Sequence, residues 1–517
     1  MQHGTLTIGA ALRATACAAP DKIAIEQDDL TLTWAEFDQQ VDRLACALQD
    51  AGIGLGARVA TLFWNQWEIL LAYHAVTRIG AVVVSLNYRL TAVEVADQLR
   101  RSAAAALLYD DSFAATVADA VAPLDRRPLC IVAGPPAGPA AAAIAELTAR
   151  PAPRQPEAGL ALTDADDSGI WFTSGTTGQP KGAVVRHSSS VWSATLMAHA
   201  LGMRRDTRLL SVAPLFHRGP MENVHLGATL QGATHVFMTR FEARRMLELM
   251  QRRRITHAFV VPTMSWLVLN EPSAGDYDLS SMRCWMSASA PFPAELQDGL
   301  RRRLRLPPDV IANAYGITES LFITHCDPAE LAARPTSAGR AVPAMRVRIW
   351  DEARGFLPDG AVGEFVTSGP TNFRTYLDDE AAFRTATFEA DGVAWYKSGD
   401  LGYRDPDGHF HIVDRKKDMI ISGGENIYSV EVEAAIARAP QVADVAVVGL
   451  PDEKWGEAVV AAVVARAGVT LSAAEVLAAC ADLAPYKRPR HVHVMATLPR
   501  NSFGKVQKPA LKALLRR

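Results

Sequence analysis

The stretch Thr173-Ser174-Gly175-Thr176-Thr177-Gly178-Gln179-Pro180-Lys181-Gly182 follows a short apolar segment, Gly169-Ile170-Trp171-Phe172, that is typical of a buried strand. Its glycines let the backbone approach a ligand and turn N–H groups inward, and its hydroxyls and lysine add donors and positive charge. These features suit a polyphosphate. The stretch is not a Walker A loop, because Pro180 precedes Lys181 and Gly182 follows it. The structural alternative is a flexible surface loop.

The segments before this loop have the pattern of an α/β protein. Residues 58–63 are apolar and β-branched and precede a helical pattern that ends at Arg78, and residues 81–85 precede another that ends at Ala105. This alternation is typical of βα units on a mostly parallel sheet. Residues 133–160 are rich in Ala and Pro, which predicts a surface helix and a linker.

The segments after the loop change character twice. From Val347 to about Tyr403, short strand-like stretches separated by Gly and Pro predict a small antiparallel β element. Beyond Asp414, a compact α+β module is indicated, within the usual size range of a domain. Its expected helices are residues 430–438 and 473–483, and its expected strands are residues 442–449 and 458–464. We therefore predict an α/β fold with a large N-terminal domain, residues 1–414, and a small C-terminal domain, residues 415–517.

Composition excludes several classes of protein. A chain of 517 residues is too long for one hydrophobic core. The formal net charge of -3 provides no basic field for a nucleic acid. No run approaches the roughly 20 apolar residues of a membrane helix. Because no basic segment precedes the apolar residues 12–20, they are expected to form a helix of the first domain, and the protein is expected to be cytoplasmic.

The six cysteines show no pattern of a metal site. None forms a Cys-x-x-Cys pair or has a histidine at zinc spacing. They are expected to be buried thiols in a reducing compartment. The cysteines are Cys17, Cys46, Cys130, Cys284, Cys326 and Cys480.

The glycine-rich loop resembles the signature of the adenylate-forming superfamily, which includes acyl-CoA synthetases, firefly luciferase and peptide-synthetase adenylation domains. The resemblance extends from about Ala24 to Leu514, and its motifs occur in the expected order. It implies that ATP is a substrate and that the loop binds the ATP phosphates. The residues implied are Thr173, Ser174, Gly175, Thr176, Thr177, Gly178 and Lys181.

Tyr315-Gly316-Ile317-Thr318-Glu319 is similar to the adenine and magnesium motif of this superfamily. The resemblance implies that the Tyr315 ring stacks on adenine, that Thr318 meets the phosphates and that Glu319 holds Mg²⁺. A carboxylate suits this task, because Mg²⁺ prefers hard oxygen ligands. Ser289 and Ala290 are also placed at the nucleotide by the resemblance.

Three further motifs resemble the parts that complete the adenylation site. Ser398-Gly399-Asp400 with Asp414-Arg415 resembles the ribose clamp, and Lys417 lies at the position of the interdomain hinge. The segment 499–505 resembles the loop that carries the adenylation lysine, here Lys505. A fixed ammonium there lowers the repulsion between an anionic carboxylate and the α-phosphate in the transition state.

The acceptor of the acyl group is predicted from the C-terminal module. Segments 422–429 and 451–457 resemble the acyl-CoA synthetase versions, in which Gly423 and Gly424 flank the pantetheine tunnel of coenzyme A. The resemblance implies a small mobile domain that rotates about Lys417 between the two half-reactions. Glycine suits the tunnel, since the thin arm must pass close to backbone.

The acyl pocket is expected near His217, in Pro214-Leu215-Phe216-His217, where the superfamily has a gating His or aromatic residue. Two departures stand out: Arg218-Gly219-Pro220 replaces small apolar residues, and Ser287-Ala288-Ser289-Ala290-Pro291 replaces a Gly-Gly before Ala-Pro. An apolar lining favours a fatty or alicyclic monoacid first and an aryl acid second. A dicarboxylate comes third, because Arg218 could pair with a second carboxylate. The expected lining residues are His217, Val261, Met264, Ser287, Ala288 and Ile317.

The resulting hypothesis is an ATP-dependent carboxylic acid:CoA ligase that uses ATP, Mg²⁺ and coenzyme A in two steps. One alternative is an adenylating enzyme that loads an aryl or other acid onto a carrier-protein thiol. Another is a non-catalytic nucleotide-binding relative, against which the joint presence of Lys505, Glu319, Asp400 and Arg415 argues. The expected partner is a small carboxylic acid, with no nucleic acid and no membrane segment, in a monomer or a homodimer.

Overall fold

A computed structural model describes residues 6–157, 159–173, 180–290, 292–423, 425–500 and 506–516. The chain divides into two compact units. The first comprises Met1–Val347 and Thr367–Tyr396, and the second comprises Arg348–Val366 and Lys397–Arg517.

The helices of the described residues, in chain order, are α1 (Ile8–Ala18), α2 (Trp34–Asp50), α3 (Trp67–Arg78), α4 (Ala92–Ser102), α5 (Ala114–Val121), α6 (Ile144–Ala149), α7 (His187–Ala200), α8 (Leu226–Leu230), α9 (Ala243–Arg252), α10 (Pro262–Leu269), α11 (Ala294–Leu304), α12 (Pro328–Ala333), α13 (Glu380–Ala386), α14 (Ser429–Ala437), α15 (Ala473–Ala479) and α16 (Lys508–Leu515). Short 3-10 turns occupy Asp111–Phe113, Ala274–Asp276 and Pro485–Lys487, and a π-helix occupies Gly219–His225.

The strands up to residue 341 are β1 (Ile23–Gln27), β2 (Leu30–Thr33), β3 (Arg58–Leu62), β4 (Val82–Ser85), β5 (Ala106–Asp110), β6 (Leu129–Ala133), β7 (Ala142–Ala143), β8 (Asp167–Thr173), β9 (Lys181–Arg186), β10 (Arg208–Ser211), β11 (Thr234–Phe237), β12 (His257–Phe259), β13 (Cys284–Ser287), β14 (Ile311–Tyr315), β15 (Thr324–Cys326) and β16 (Arg340–Ala341). The later strands are β17 (Arg346–Asp351), β18 (Gly355–Phe356), β19 (Gly363–Ser368), β20 (Thr375–Tyr376), β21 (Thr387–Ala390), β22 (Val393–Arg404), β23 (Phe410–Arg415), β24 (Ile420–Ser422), β25 (Glu425–Ile427), β26 (Val442–Asp452), β27 (Gly456–Ala465) and β28 (His491–Val494).

The first unit is built on two mainly parallel sheets. In the described residues, one sheet has the order β16-β15-β14-β13-β12-β10-β11-β1-β2 and the other has the order β20-β9-β8-β4-β3-β5-β6-β7. The inner pairs are parallel, as in β12 with β13 and β4 with β8. Antiparallel pairs stand towards the ends, as in β8 with β9 and β14 with β15. Parallel neighbours need a crossover connection, which helices of this unit supply, as α3 does between β3 and β4.

Helix α2 illustrates why these segments fold as they do. Thr33 and Glu36 form a capping box that satisfies free N–H groups at the start of the helix. Phe37, Val41 and Leu44 recur at helical spacing and are fully buried. The helix is therefore fixed by its own start signal and by one apolar face.

The second unit contains two β elements. In one, β17 pairs with β18 and β22 pairs with β23, both antiparallel. In the other, the described strands follow the order β25-β24-β27-β26, and β28 pairs with β27 in parallel. Helix α14 packs on this sheet through Val432 and Ile436, which are fully buried.

The fold class is confirmed: the molecule is an α/β protein with a large N-terminal body of sheets and helices and a small C-terminal domain. Two local expectations differ. The linker region 133–160 contains strand β7 as well as helix α6. Helix α15 ends at Ala479, and the following residues lead into Pro485, which lacks the N–H that a helix requires.

Cys17 is exposed, whereas the other cysteines are buried. Among the described residues no helix has the length and apolarity to span a bilayer.

Candidate active site

The ends of the glycine-rich loop are held by an antiparallel strand pair. Thr173 closes β8 and lies opposite Lys181, the first residue of β9. The Thr173 hydroxyl donates a hydrogen bond to the Lys181 carbonyl, at 3.4 Å. Ser174, Gly175, Thr176, Thr177 and Gly178, which are predicted to bind phosphate, lie outside the described residues. The described ends nevertheless fix where the loop starts and stops.

Lys181 and Glu319 belong to one cluster with two tyrosines. The Lys181 Nζ lies 5.1 Å from the centroid of the Tyr376 ring, a cation–π contact. The Tyr376 hydroxyl donates to Glu319 Oε1 at 2.8 Å, and the Tyr396 hydroxyl lies 3.1 Å from that of Tyr376. We call this set the Lys181 cluster. It brings the predicted phosphate lysine and the predicted metal ligand to a single place.

The tyrosines of the Lys181 cluster stay protonated. Burial, together with the negative charge of Glu319, raises the pKa of Tyr376 and of Tyr396 well above the ordinary value. A neutral phenol therefore donates to the Glu319 carboxylate at every working pH. This hydrogen bond orients the carboxylate and leaves its negative charge in place.

The turn that presents Glu319 is tightly fixed. Tyr315 ends β14 and is buried. A Cβ on Gly316 would stand 1.6 Å from the carbonyl oxygen of Leu321, so no side chain fits there. The Phe373 N–H donates to the Glu319 carbonyl at 2.6 Å. Thr318 and Glu319 thus sit on a backbone with little freedom.

The segment after β13 carries a strained residue. Ser287 ends the strand fully buried, and its Oγ has no hydrogen-bond partner among the described residues. Ser289 has a φ of +75°, in the left-handed region that glycine tolerates best. Holding a serine there costs on the order of 1 kcal/mol or more. Ala288 and Ala290 flank it, partly exposed.

The expected acyl-pocket neighbours are distributed over two apolar clusters. Val261 is buried at the start of α10, and Met264 on α10 packs against the cluster that contains Trp285. Ile317 packs instead against the cluster that contains Phe373. The packing therefore does not bring Met264 and Ile317 into one cluster.

The His217 segment is braced by a residue that the motifs do not reveal. The Asn65 side chain donates to the carbonyls of Val212 and Ala213, at 3.1 and 2.9 Å, and accepts from the Leu215 N–H at 3.0 Å. The ring of His217 lies 3.9 Å from that of Phe216.

Arg218 is held within the protein. Its Nε lies 2.6 Å from Glu222 Oε2, and both side chains are 0% exposed. Glu222 lies in the π-helix that follows Arg218. The guanidinium therefore has a carboxylate partner within the protein and no exposed surface, which argues against a pairing of Arg218 with a second substrate carboxylate.

In the second unit, Asp400 and Arg415 face each other across the β22–β23 pair. The Arg415 Nε lies 3.0 Å from Asp400 Oδ1, and the side chains are 45% and 5% exposed respectively. The two residues predicted to form the ribose clamp are therefore paired, with Asp400 buried and Arg415 half-exposed.

Glu364 and Lys416 support this pair and were not predicted. Glu364 accepts from the Gly399 N–H and from the Lys416 ammonium, each at 2.9 Å. Burial acts to lower the pKa of Lys416, but the hydrogen bond and the charge of Glu364 outweigh it and the pKa is raised. Lys417, the predicted hinge, is exposed in the turn that follows β23.

Gly423 packs against an indole ring. Its φ is +62°, its N–H donates to the Trp455 carbonyl at 2.8 Å, and a Cβ would stand 2.9 Å from the Trp455 ring. A glycine is required here for conformation and for space. Gly424 and Lys505 lie outside the described residues.

The residues missed by sequence reasoning have little sequence signal. Tyr376 and Glu364 lie in strands of two and six residues, and Tyr396 lies in the 12-residue strand β22; aromatic or acidic residues are ordinary in strands of all these lengths. Their importance comes from contacts with residues distant in sequence. Only Glu222, four positions after Arg218, has a spacing that could have indicated a pair.

Comparison with known proteins agrees with the geometry. The profile of the AMP-binding enzyme family matches residues 12–377, and that of the AMP-binding enzyme C-terminal domain matches residues 431–505. An indoleacetate–CoA ligase from Aromatoleum aromaticum is 35% identical over 503 residues, 96% of each chain. A feruloyl-CoA synthase from Amycolatopsis sp. is 36% identical over 493 residues, 95% of each chain.

The solved structures include ATP-bound MatB from Rhodopseudomonas palustris, which matches with a TM-score of 0.90 at 27% identity and covers 99% of both chains. Both family profiles, the CoA ligase relatives and this structure agree along nearly the whole chain. The chain therefore belongs to the AMP-binding enzyme family, in the acyl-CoA synthetase branch of the adenylate-forming superfamily, and is an AMP-forming acid–thiol ligase.

Proposed function

We propose that this ligase activates an apolar monocarboxylic acid, with the Lys181 cluster binding the ATP phosphates and the metal. The observation that carries the proposal is the convergence of Lys181, Tyr376 and Glu319. A cation beside a carboxylate suits a magnesium-bound triphosphate, since the ammonium meets phosphate oxygens and the carboxylate meets the metal. Lys181 would act together with the loop that starts at Thr173.

The residues present fit a magnesium ion. Glu319 offers a hard carboxylate oxygen, and its hydrogen bond from the neutral Tyr376 leaves its charge available. When bound, Mg²⁺ would offset charge on the phosphates. Thr318, adjacent in the turn, is assigned to the phosphate region, and Tyr315, Ser289 and Ala290 are assigned to the adenine.

Asp400 and Arg415 are assigned to the ribose. The buried carboxylate of Asp400 can accept from sugar hydroxyls, and the half-exposed Arg415 can donate to them. The Glu364–Lys416 pair orients the backbone of Gly399 beside Asp400. Four described side chains thus support one recognition task.

The two half-reactions are assigned to alternate positions of the C-terminal domain, residues 415–517, about Lys417. In the first, Lys505 would bridge the acid carboxylate and the α-phosphate as AMP joins the acyl group and pyrophosphate leaves. In the second, Gly423 and Gly424 would flank the arm of coenzyme A while its thiolate displaces AMP. The need for glycine at Gly423, set by the Trp455 ring, supports a narrow passage.

The acid is assigned as apolar and singly charged, because Arg218 is sequestered by Glu222 and Val261 is buried beside Met264. A fatty or alicyclic acid is the first candidate. An aryl acid is the second, and it is favoured by the names of the two CoA ligase relatives, which specify indoleacetate and feruloyl groups. His217, Ser287, Ala288 and Ile317 are assigned to the same pocket.

ATP–pyrophosphate exchange across an acid panel tests this proposal. The panel contains a medium-chain fatty acid, an alicyclic acid, an arylacetic acid, a hydroxycinnamic acid and a dicarboxylic acid. We expect exchange with at least one monoacid and at least about tenfold less with the dicarboxylic acid, because the dicarboxylate leaves an unpaired charge. Adding CoA or a phosphopantetheinylated carrier protein then identifies the thiol acceptor. Exchange with the dicarboxylic acid alone would contradict the proposed pocket.

Replacing Lys505 tests the division of labour between the half-reactions. Lys505→Ala should lower adenylation by on the order of 10²-fold or more, comparable to the loss of one preorganised electrostatic donor. Thioester formation from supplied acyl-adenylate should largely survive. Rapid-quench measurement of each half-reaction checks this, and an equal loss in both would remove the assignment. Lys508→Ala, a nearby lysine that binds Glu433, is the matched control.

A further inference from the structure

We propose that Arg218, paired with Glu222, is a positioning residue that holds the Thr318–Glu319 turn in the geometry needed for magnesium-bound ATP. The inference deepens the proposed function and rests on the assignment of Glu319 to the metal. It gives a role to the arginine that departs from the superfamily pattern.

The guanidinium of Arg218 is engaged in three directions. Its Nε donates to Glu222 Oε2 at 2.6 Å, its Nη1 donates to the Thr318 carbonyl at 2.6 Å, and its Nη2 donates to the Ser189 hydroxyl at 3.3 Å. The side chain is 0% exposed. The planar fork of arginine can make these contacts at once, which the single ammonium of lysine cannot reproduce.

Glu222 extends the connection to a further helix. Its Oε1 lies 3.4 Å from the hydroxyl of Tyr73, on α3, and its side chain is also 0% exposed. Burial raises the pKa of Tyr73 well above its ordinary value, so its hydroxyl remains a donor to the carboxylate. The pair therefore connects α3, α7 and the π-helix to the turn that bears Glu319.

The charges of this pair suit a positioning role. Arg218 contacts the backbone carbonyl of Thr318, one residue before Glu319. Glu222 balances the charge of Arg218 at 2.6 Å, so the guanidinium can fix the turn without acting as the counterion of Glu319. A hydrogen bond from a charged donor to a buried carbonyl is among the stronger ones in proteins.

The test separates positioning from folding by removing both charges together. Replacing a buried ion pair with apolar residues of similar volume often preserves stability, whereas removing one partner leaves a buried charge. Arg218→Met should therefore lower the melting temperature, and the double variant Arg218→Met with Glu222→Leu should recover part of that loss, because the unpaired Glu222 charge is removed while the Thr318 carbonyl and the Tyr73 hydroxyl still lose these partners. Both variants lose the hydrogen bond to Thr318.

The readout is the gain in ATP affinity that Mg²⁺ confers, measured by calorimetry without any acid, so that no turnover is needed. We expect this gain to fall by roughly tenfold in the double variant, on the scale of one charge-assisted hydrogen bond. In Arg218→Lys, the gain in ATP affinity from Mg²⁺ should lie between that of the wild type and that of the double variant, because an ammonium replaces only part of the contacts of the guanidinium. ATP affinity without Mg²⁺ should change little.

Arg78→Met is the matched control. Arg78 is 1% exposed and lies 2.6 Å from Asp38 and from Asp42, so the variant also removes a buried guanidinium from two carboxylates, which Arg13 continues to hold. It should lower the melting temperature and keep the magnesium-dependent gain. If the double variant kept the full gain in ATP affinity from Mg²⁺, the positioning role would be overturned. If the wild type showed no such gain, the assignment of Glu319 to the metal would be refuted, and the inference with it, even if the enzyme is active with an acid of the panel.

Discussion

Two arginine–carboxylate pairs, one in each unit, differ chiefly in their contact with water. Arg218 and Glu222 are both 0% exposed and lie 2.6 Å apart. Arg415 and Asp400 lie 3.0 Å apart, but Arg415 is 45% exposed. The first arginine has exchanged all contact with solvent for contacts with protein, whereas nearly half of the second side chain is exposed to solvent.

The difference in burial suits the two proposed tasks: Arg218 positions the turn that bears Glu319, and Arg415 binds the ribose. Removing one partner of a buried pair costs about 3–5 kcal/mol, because a charge is left without water or partner. An exposed pair contributes roughly 0–1 kcal/mol. Since both arginines lie beside predicted motifs, their sequence context alone does not distinguish them.

The largest effect is expected from Glu222→Ala, which should reduce the free energy of unfolding by about 3–5 kcal/mol because Arg218 is left buried and unpaired. Urea denaturation followed by circular dichroism measures it. If the loss were below about 1 kcal/mol, the contrast between the two pairs would be broken. Asp400→Asn, which preserves the shape of its side chain, serves as the matched variant in the other pair.

Acid should weaken the unit that contains the Arg218 pair. Burial, together with the positive charge of Arg78, lowers the pKa of His74 to about 3, and burial lowers that of His225 to about 3. Because the unfolded chain binds protons at its ordinary pKa near 6.5, stability is full above that pH and is lost progressively as the pH falls towards 3. By about pH 5 the loss should be on the order of 2 kcal/mol per histidine.

Thermal unfolding between neutral pH and about pH 5 measures this dependence. His74→Phe should flatten it, because His74 packs edge-on against Phe37 and Tyr73 and a phenyl ring does not titrate. An unchanged slope in that variant would show that other groups cause the acid sensitivity.

A smaller effect is expected when the half-exposed pair loses its charge. Asp400→Asn should weaken ATP binding by about 1.5–3 kcal/mol, the range for a hydrogen bond to a charged group, and change the free energy of unfolding by less than about 1 kcal/mol. Calorimetry measures the affinity for ATP and for pyrophosphate, which has no ribose. The difference between the two losses of affinity reports the contribution of the sugar. Equal weakening for both ligands would contradict the ribose assignment.

The smallest effect is expected from Tyr376→Phe, which removes one neutral hydrogen bond to Glu319 and keeps the ring beneath Lys181. The loss should be about 0.5–1.5 kcal/mol in the binding of magnesium-bound ATP. Tyr396→Phe is the comparison variant, since the Tyr396 hydroxyl lies 3.1 Å from that of Tyr376 and the substitution leaves the Tyr376 donor to Glu319 in place. Equal losses in the two variants would indicate that the tyrosines act as one network.

Much of the fold was predictable because its signals are local. The strand at residues 58–62 and the helix that ends at Arg78 follow from periodicity within a few residues. The predicted chemical residues Lys181, Glu319, Asp400 and Arg415 stand within short motifs and occur in the two clusters described.

The remainder depends on contacts between distant residues or on unusual backbone. Glu364 approaches Lys416 only after the strands pair, and no local pattern indicates it. Gly219–His225 forms a π-helix, a rare element that the motifs do not reveal, and Glu222 lies in it beside Arg218. The positive φ of Ser289 occurs where the superfamily has Gly-Gly, so the replacement marks this segment but does not reveal the conformation that the serine adopts.

The turn at Gly316 has a practical consequence for protein engineering. A side chain at this position would collide with the Leu321 carbonyl and shift the backbone that carries Glu319. Mutant libraries intended to alter acid preference should therefore leave Gly316 unvaried and diversify Val261 and Met264 instead. Tolerance to mutation in this enzyme is expected to change sharply between adjacent residues of the same motif. A mutational tolerance averaged over the motif would therefore describe neither the tolerant nor the intolerant positions.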